Sequence, residues 1–249
     1  MHPTCYLCGT PIMGHSSYDH VPPKQFFPDV LKKAPNLVTL PTHEHCNKEF
    51  QRDEDYFRLS LGPLAMKTTM GSLLWKDIAR SMKRKAGLGL VRQVYAEFQH
   101  RTPGGIYYPP RCIAKHYDAQ RITRVAWKII RGLHCHTINN EFVPENAAHY
   151  ISLLDPAQPQ ADFINQLLRL ITSQEEHGHH PRVLAYKFKE ACDEAVRLYA
   201  FGIRLWEHFI FLAMYDLGSR VAALVDVDCP AESGGPAGAE GGPSGESER

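Results

Sequence analysis

Apolar positions follow distinct rhythms along the chain. Phe50, Phe57 and Leu61 recur near helical spacing in a run that begins near Glu44, which predicts a helix packed on the two short strands before it. The turn-forming pair Gly62-Pro63 closes that unit. Residues 64–100 keep helical spacing through Leu73, Leu74, Ile78, Met82, Val91, Val94 and Phe98, with Gly87 and Gly89 dividing them into two helices. Thr102-Pro103-Gly104-Gly105 reads as a turn, and residues 106–108 and 111–115 as short β-like stretches. Asp118 is placed to cap a helix over residues 119–133, with Ile122, Val125, Ile129 and Ile130 apolar and Arg121, Arg124, Lys128 and Arg131 basic. Ile164, Leu167, Leu168 and Ile171 mark another short amphipathic helix. Residues 183–217 are rich in β-branched and aromatic side chains in partial alternation, the pattern of an antiparallel meander.

These elements predict an α+β chain in two parts, residues 1–62 and 63–226. A tail over 227–249, dense in Gly, Pro and Glu, is expected to be disordered. No apolar run reaches the ~18–20 residues that span a bilayer. Seven cysteines without a secretory leader pattern point to a cytoplasmic chain whose thiols are free or metal-bound.

The chemistry gathers in the first part. Cys5 and Cys8 form a Cys-x2-Cys knuckle followed by Gly9, and His43 and Cys46 repeat the spacing. Two short turns with thiolate and imidazole ligands are what a tetrahedral structural Zn²⁺ takes; His45 is an alternative to His43. Between the pairs lies Asp19-His20, with Asn36 and Asn47 beyond it. Imidazole can take a proton from water near neutrality. Carboxylate and amide oxygens suit a hard divalent cation.

The knuckle, the segment Asp19-His20-Val21-Pro22, Asn36-Leu37-Val38-Thr39-Leu40, and Cys46-Asn47 opening a helix together resemble the HNH endonuclease family, with its ββα-metal core. The Asp-Glu-x-Tyr-Phe run at 53–57 is similar to bacterial members. The resemblance implies that His20 is the general base and that Asn36 orients it. It further implies that Asp19 and Asn47 hold a catalytic Mg²⁺ or Mn²⁺. Asn47 stands where histidine is commonest in the family, and Pro41 where a third cysteine is usual, which moves that zinc ligand to His43. On residue type alone, Asn36 is equally a turn residue, and Asp53-Glu54-Asp55 reads as a solvated helix face.

Charge alters the picture in the second part. Between positions 66 and 140 fourteen lysines and arginines face three acidic residues, although the whole chain is near neutral. Such segregation is the footprint of a polyanion partner, densest at Arg80, Lys83, Arg84 and Lys85. Charge does not tell DNA from RNA; with the resemblance, the expectation is a metal-dependent endonuclease acting on DNA ahead of RNA. The rival readings are a non-catalytic zinc-dependent nucleic-acid-binding module and a defence- or toxin-type effector. His134-Cys135-His136 and the histidines at 177–180 are not expected to bind metal, the first because neighbours point to different faces.

Overall fold

A computed structural model describes residues 2–82, 88–109, 114–155, 158–192 and 197–218. Lys83, Arg84, Lys85 and the Gly/Pro/Glu-rich tail lie outside the described residues.

The chain is mixed helix and sheet, as its rhythms predict. Strands β1 (Ser17–His20) and β2 (Thr39–Thr42) pair antiparallel, Asp19 opposite Leu40 and His20 opposite Thr39. Two 3-10 turns, Lys24–Phe26 and Asp29–Leu31, fill the loop between them. Helix α1 (Glu44–Leu61) follows β2 directly, with His43 as its extended N-cap residue. Helices α2 (Thr69–Met82) and α3 (Leu88–Ala96) come next, then the two-residue strands β3 (Phe98–Gln99) and β4 (Ala114–Lys115). Residues 106–108 supply only a bridge from Tyr107 to Arg101. Helix α4 (Ala119–Thr137) starts where Asp118 accepts a hydrogen bond from the backbone N–H of Arg121, as the cap reading requires. Strand β5 (His149–Leu153), helix α5 (Asp162–Thr172) and the meander β6 (Leu184–Cys192), β7 (Arg197–Leu205) and β8 (Phe209–Asp216) complete the chain.

The large sheet is antiparallel in the order β5-β8-β7-β6. Its period of two separates its faces. Ala200, Leu212 and Met214 lie under Ile164, Leu167 and Ile171 of α5. The axis of α5 passes close to β7: a Cβ on Gly202 would sit 2.4 Å from Ile171. Tyr199, Phe201, Ile203, Phe211 and Tyr215 belong to the main core.

That core runs without interruption from Cys5 to Tyr215, so the boundary at residue 62 does not separate two hydrophobic cores. The joint is aromatic. Phe57 of α1 stacks on Phe26 at 5.0 Å and on Phe211 at 5.8 Å, and the Trp206 indole donates to the Phe26 carbonyl at 2.9 Å. Phe57 thus packs on the large sheet rather than on the hairpin strands. Helix α4 ties the halves further. Gly132 lies against Val21, which a Cβ would approach to 2.6 Å, and the Arg131 guanidinium donates to the carbonyls of Val143 and Leu7.

Candidate active site

The Cys-x2-Cys knuckle folds as a tight turn. The Gly9 N–H donates to the Cys5 carbonyl at 2.8 Å, and Gly9 has φ +74°, a conformation that suits a residue without Cβ. The Tyr6 N–H donates to the Pro41 carbonyl, which hangs the turn on β2. Because His43 caps α1 and Cys46 lies in its first turn, the second ligand pair arrives beside the first. Ligand atoms of Cys5, Cys8, His43 and Cys46 lie within 4.8 Å of one another, a set that could hold a metal ion such as zinc. His43 Nδ1 lies 3.4 Å from Cys8 Sγ, while His45 stacks on His43 and approaches only Cys46. Burial pushes the Cys5 thiol up, but hydrogen bonds from Thr42 and the backbone outweigh it and bring the pKa down to about 6. Burial and the neighbouring Cys5 and Cys8 push Cys46 up to about 12. Thiols this close resist ionising together, and a bound cation relieves that repulsion.

Beside this cluster β1, residues 23–25 and the first three turns of α1 form an open cleft of about 420 Å³. Asp19, His20, Lys24, Gln25, Asn47, Lys48 and Glu54 are among the residues lining it. Strand alternation buries Asp19 while Tyr18 is exposed. His20, the last strand residue, is half-buried. Desolvation, then the nearby Lys24, hold its pKa below the usual histidine value against the opposing pull of Asp19. The imidazole is therefore neutral near pH 7, the form that accepts a proton.

Asn36 lies elsewhere. It adopts φ +64° in the loop before β2 and lines a separate cavity of about 50 Å³ with His136, His179 and His180. It is not among the residues lining the His20 cleft. Of the two readings its residue type allowed, the turn is the one its backbone adopts.

The acidic run at 53–55 is not a solvated face. Cys46, Phe50, Phe57 and Leu61 form the buried stripe of α1, and Glu54 occupies its middle step, 7% exposed. Opposite it lies the basic side of α4. Asp53 takes Arg121 and Arg124 at 2.7 Å each. Those guanidiniums lie over the rings of Tyr56 and Phe50. Lys128, 1% exposed, does not line the cleft but reaches three residues that do. Its Nζ lies 2.5 Å from Glu54 Oε1, 2.6 Å from Asp19 Oδ2 and 3.1 Å from Asn47 Oδ1. The Tyr6 hydroxyl donates to the same Asp19 oxygen at 2.5 Å, and the Gln25 amide donates to the other oxygen of Glu54 at 3.3 Å. Arg121, Arg124 and Lys128 of α4 therefore face α1. Arg80, on α2, is held by Asp29 and Asp77 at 3.0 and 3.3 Å.

This arrangement does not fit the divalent cation implied by the resemblance. Asp19 and Asn47, its two expected ligands, already share one ammonium. Like charges 4 Å apart at an effective dielectric of about 20 repel by about 4 kcal/mol, and a divalent ion doubles that. Mg²⁺ also demands close octahedral oxygen ligands, whereas the Asn47 amide oxygen is already engaged. Sequence reasoning missed Lys128 and Glu54 as members of this site. For Glu54 the signal was present, since it interrupts the apolar stripe of Cys46, Phe50, Phe57 and Leu61; Lys128 lies among Arg121, Arg124 and Arg131 and reads as one more basic residue.

No helix among the described residues is long and apolar enough to cross a membrane. Comparison with protein-family profiles, curated proteins and solved structures finds no match.

Proposed function

We propose that the chain is a zinc-stapled phosphodiesterase acting on nucleic acid, DNA ahead of RNA, with His20 as general base. The observation that carries this reading is His20, biased to its neutral form at the end of β1, sharing an open cleft with Asn47 in the first turn of α1. Zinc on Cys5, Cys8, His43 and Cys46 holds knuckle, hairpin and helix together and takes no part in the reaction. The His20 imidazole accepts a proton from water as its oxygen attacks phosphorus. The bond from phosphorus to the 3′ oxygen breaks, that oxygen takes a proton from solvent water and His20 returns its own to solvent, leaving a 5′-phosphate and a 3′-hydroxyl. Lys24, which lines the cleft, supplies positive charge to the phosphate, while Lys48 is shared with Glu44 at 2.6 Å. The divalent-ion requirement is not part of this proposal.

The non-catalytic nucleic-acid-binding module is the second reading. The buried Lys128 favours it, because it already occupies the Asp19 and Asn47 oxygens that the resemblance assigns to a catalytic metal.

Zinc-loaded protein in metal-depleted buffer, incubated with supercoiled plasmid, single-stranded DNA and RNA, with and without added Mg²⁺, tests the choice. Cutting that is lost in a folded, zinc-loaded His20→Ala variant supports the enzyme. Retained binding without cutting supports the module, and neither binding nor cutting removes both.

A further inference from the structure

We propose that Lys128 is a built-in cation: its ammonium takes the place of a divalent ion on Asp19 and Asn47, so the site works with no exchangeable metal. This deepens the phosphodiesterase reading and rests on it.

An ammonium has three protons to donate, and here three acceptors from two elements meet it: Asp19 from β1, and Asn47 and Glu54 from α1. Asn47 and Glu54 lie seven residues apart, two helical turns, so they share one face of α1. Each carboxylate is completed by a further donor, Tyr6 on Asp19 and Gln25 on Glu54. The set is therefore closed around Nζ.

The lysine is also fixed. Its helix is seated by Gly132 against Val21 and by Arg131 on the carbonyls of Leu7 and Val143, and Nζ lies 5.2 Å from the Phe50 ring centroid. Nothing in this packing resembles a hinge or an exposed tether.

The functional consequence is specific. Lys128 is too buried to touch substrate, so it is a positioning residue. It holds the Asp19 carboxylate and the Asn47 amide, which line the cleft together with His20. A metal ion in that place would be removable by a chelator. The lysine is not.

The test is Mn²⁺ binding by the full-length zinc-loaded chain, read as loss of the free Mn²⁺ EPR signal. Wild type, Asp19→Asn, Lys128→Arg, Lys128→Met and the double variant Lys128→Met/Asp19→Asn would be compared, with zinc content and circular dichroism reporting the fold. Lys128→Met should bind one Mn²⁺ tighter than wild type by about tenfold or more, and the double variant should lose it. Lys128→Arg should resemble wild type, and wild-type cutting should be indifferent to Mg²⁺. Wild-type Mn²⁺ binding that disappears in Asp19→Asn would overturn the proposal while leaving the nuclease reading intact. A folded Lys128→Met that binds no Mn²⁺ would overturn it too, and if that variant does not fold, the wild-type and Asp19→Asn arms decide. Absence of cutting with the expected Mn²⁺ pattern removes the enzyme reading and leaves the built-in cation.

Discussion

Two donor sets stand side by side on the same hairpin and helix, and they obtain their positive charge differently. Cys5, Cys8, His43 and Cys46 converge within 4.8 Å, and no lysine or arginine among the described residues donates to their sulfurs. Asp19, Asn47 and Glu54 converge instead on an ammonium supplied by α4, at 2.5–3.1 Å. The sulfur set uses residues no more than 41 positions apart in sequence, from Cys5 to Cys46, whereas the oxygen set is closed from 74 positions beyond Glu54. A free ion makes affinity a matter of concentration. A tethered ammonium makes it part of folding, because each buried carboxylate needs its partner.

The strongest way to break the comparison is to empty the sulfur set. Structural zinc in small modules is worth about 10–16 kcal/mol, and losing even a third of that, about 4 kcal/mol, should lower Tm by roughly 8–16 °C in a chain of this size. Calorimetry of Cys46→Ser beside zinc-loaded wild type checks this, and an unchanged Tm would remove the zinc assignment. Removing the tethered charge comes next. Lys128→Ala strands two buried carboxylates and should cost about 3–5 kcal/mol, read as a shift of the urea midpoint.

His20→Ala separates chemistry from structure. Its ring is half-buried and carries neither set, so stability should change by no more than about 0.5 kcal/mol while cutting falls about 10²–10⁴-fold. The smallest effect concerns acid. Burial holds Glu54 above the usual carboxylate range, although Lys128 opposes it. The folded chain therefore binds that proton more readily than the unfolded chain. Between the ordinary glutamate value and the raised one, stability at this residue grows as pH falls and declines as pH rises. The sulfur set behaves oppositely, since protons compete for its thiolates. Glu54→Gln should abolish the first trend and leave the second, as followed by urea midpoints across pH.

Local pattern carried most of the frame. The Cys-x2-Cys turn, a helix from Glu44, the Asp118 cap and the meander over 183–217 each rest on spacings that neighbouring residues enforce, and each is present. The positively charged set was hidden by the same locality. Lys128 and Arg131 read as a basic face because charges usually meet water. Yet residues 125–135 are buried all round, and a helix with so much apolar surface leaves little room for a wet side. Glu54 was legible in the same manner, as the charged step in the stripe of Cys46, Phe50, Phe57 and Leu61. Their pairing carries no periodicity, because it joins positions 74 apart. Asn36 illustrates the reverse case, where a motif position coincides with a turn and the backbone takes the turn at φ +64°.

The distance between Glu54 and Lys128 also sets a schedule. On a ribosome adding about 5–20 residues per second, the 74 positions between them occupy roughly 4–15 s. For that interval the nascent chain already contains His20, Asp19 and Asn47 but not the side chain that fixes two of them. The centre is thus born incomplete and matures only once the later helix has been synthesised.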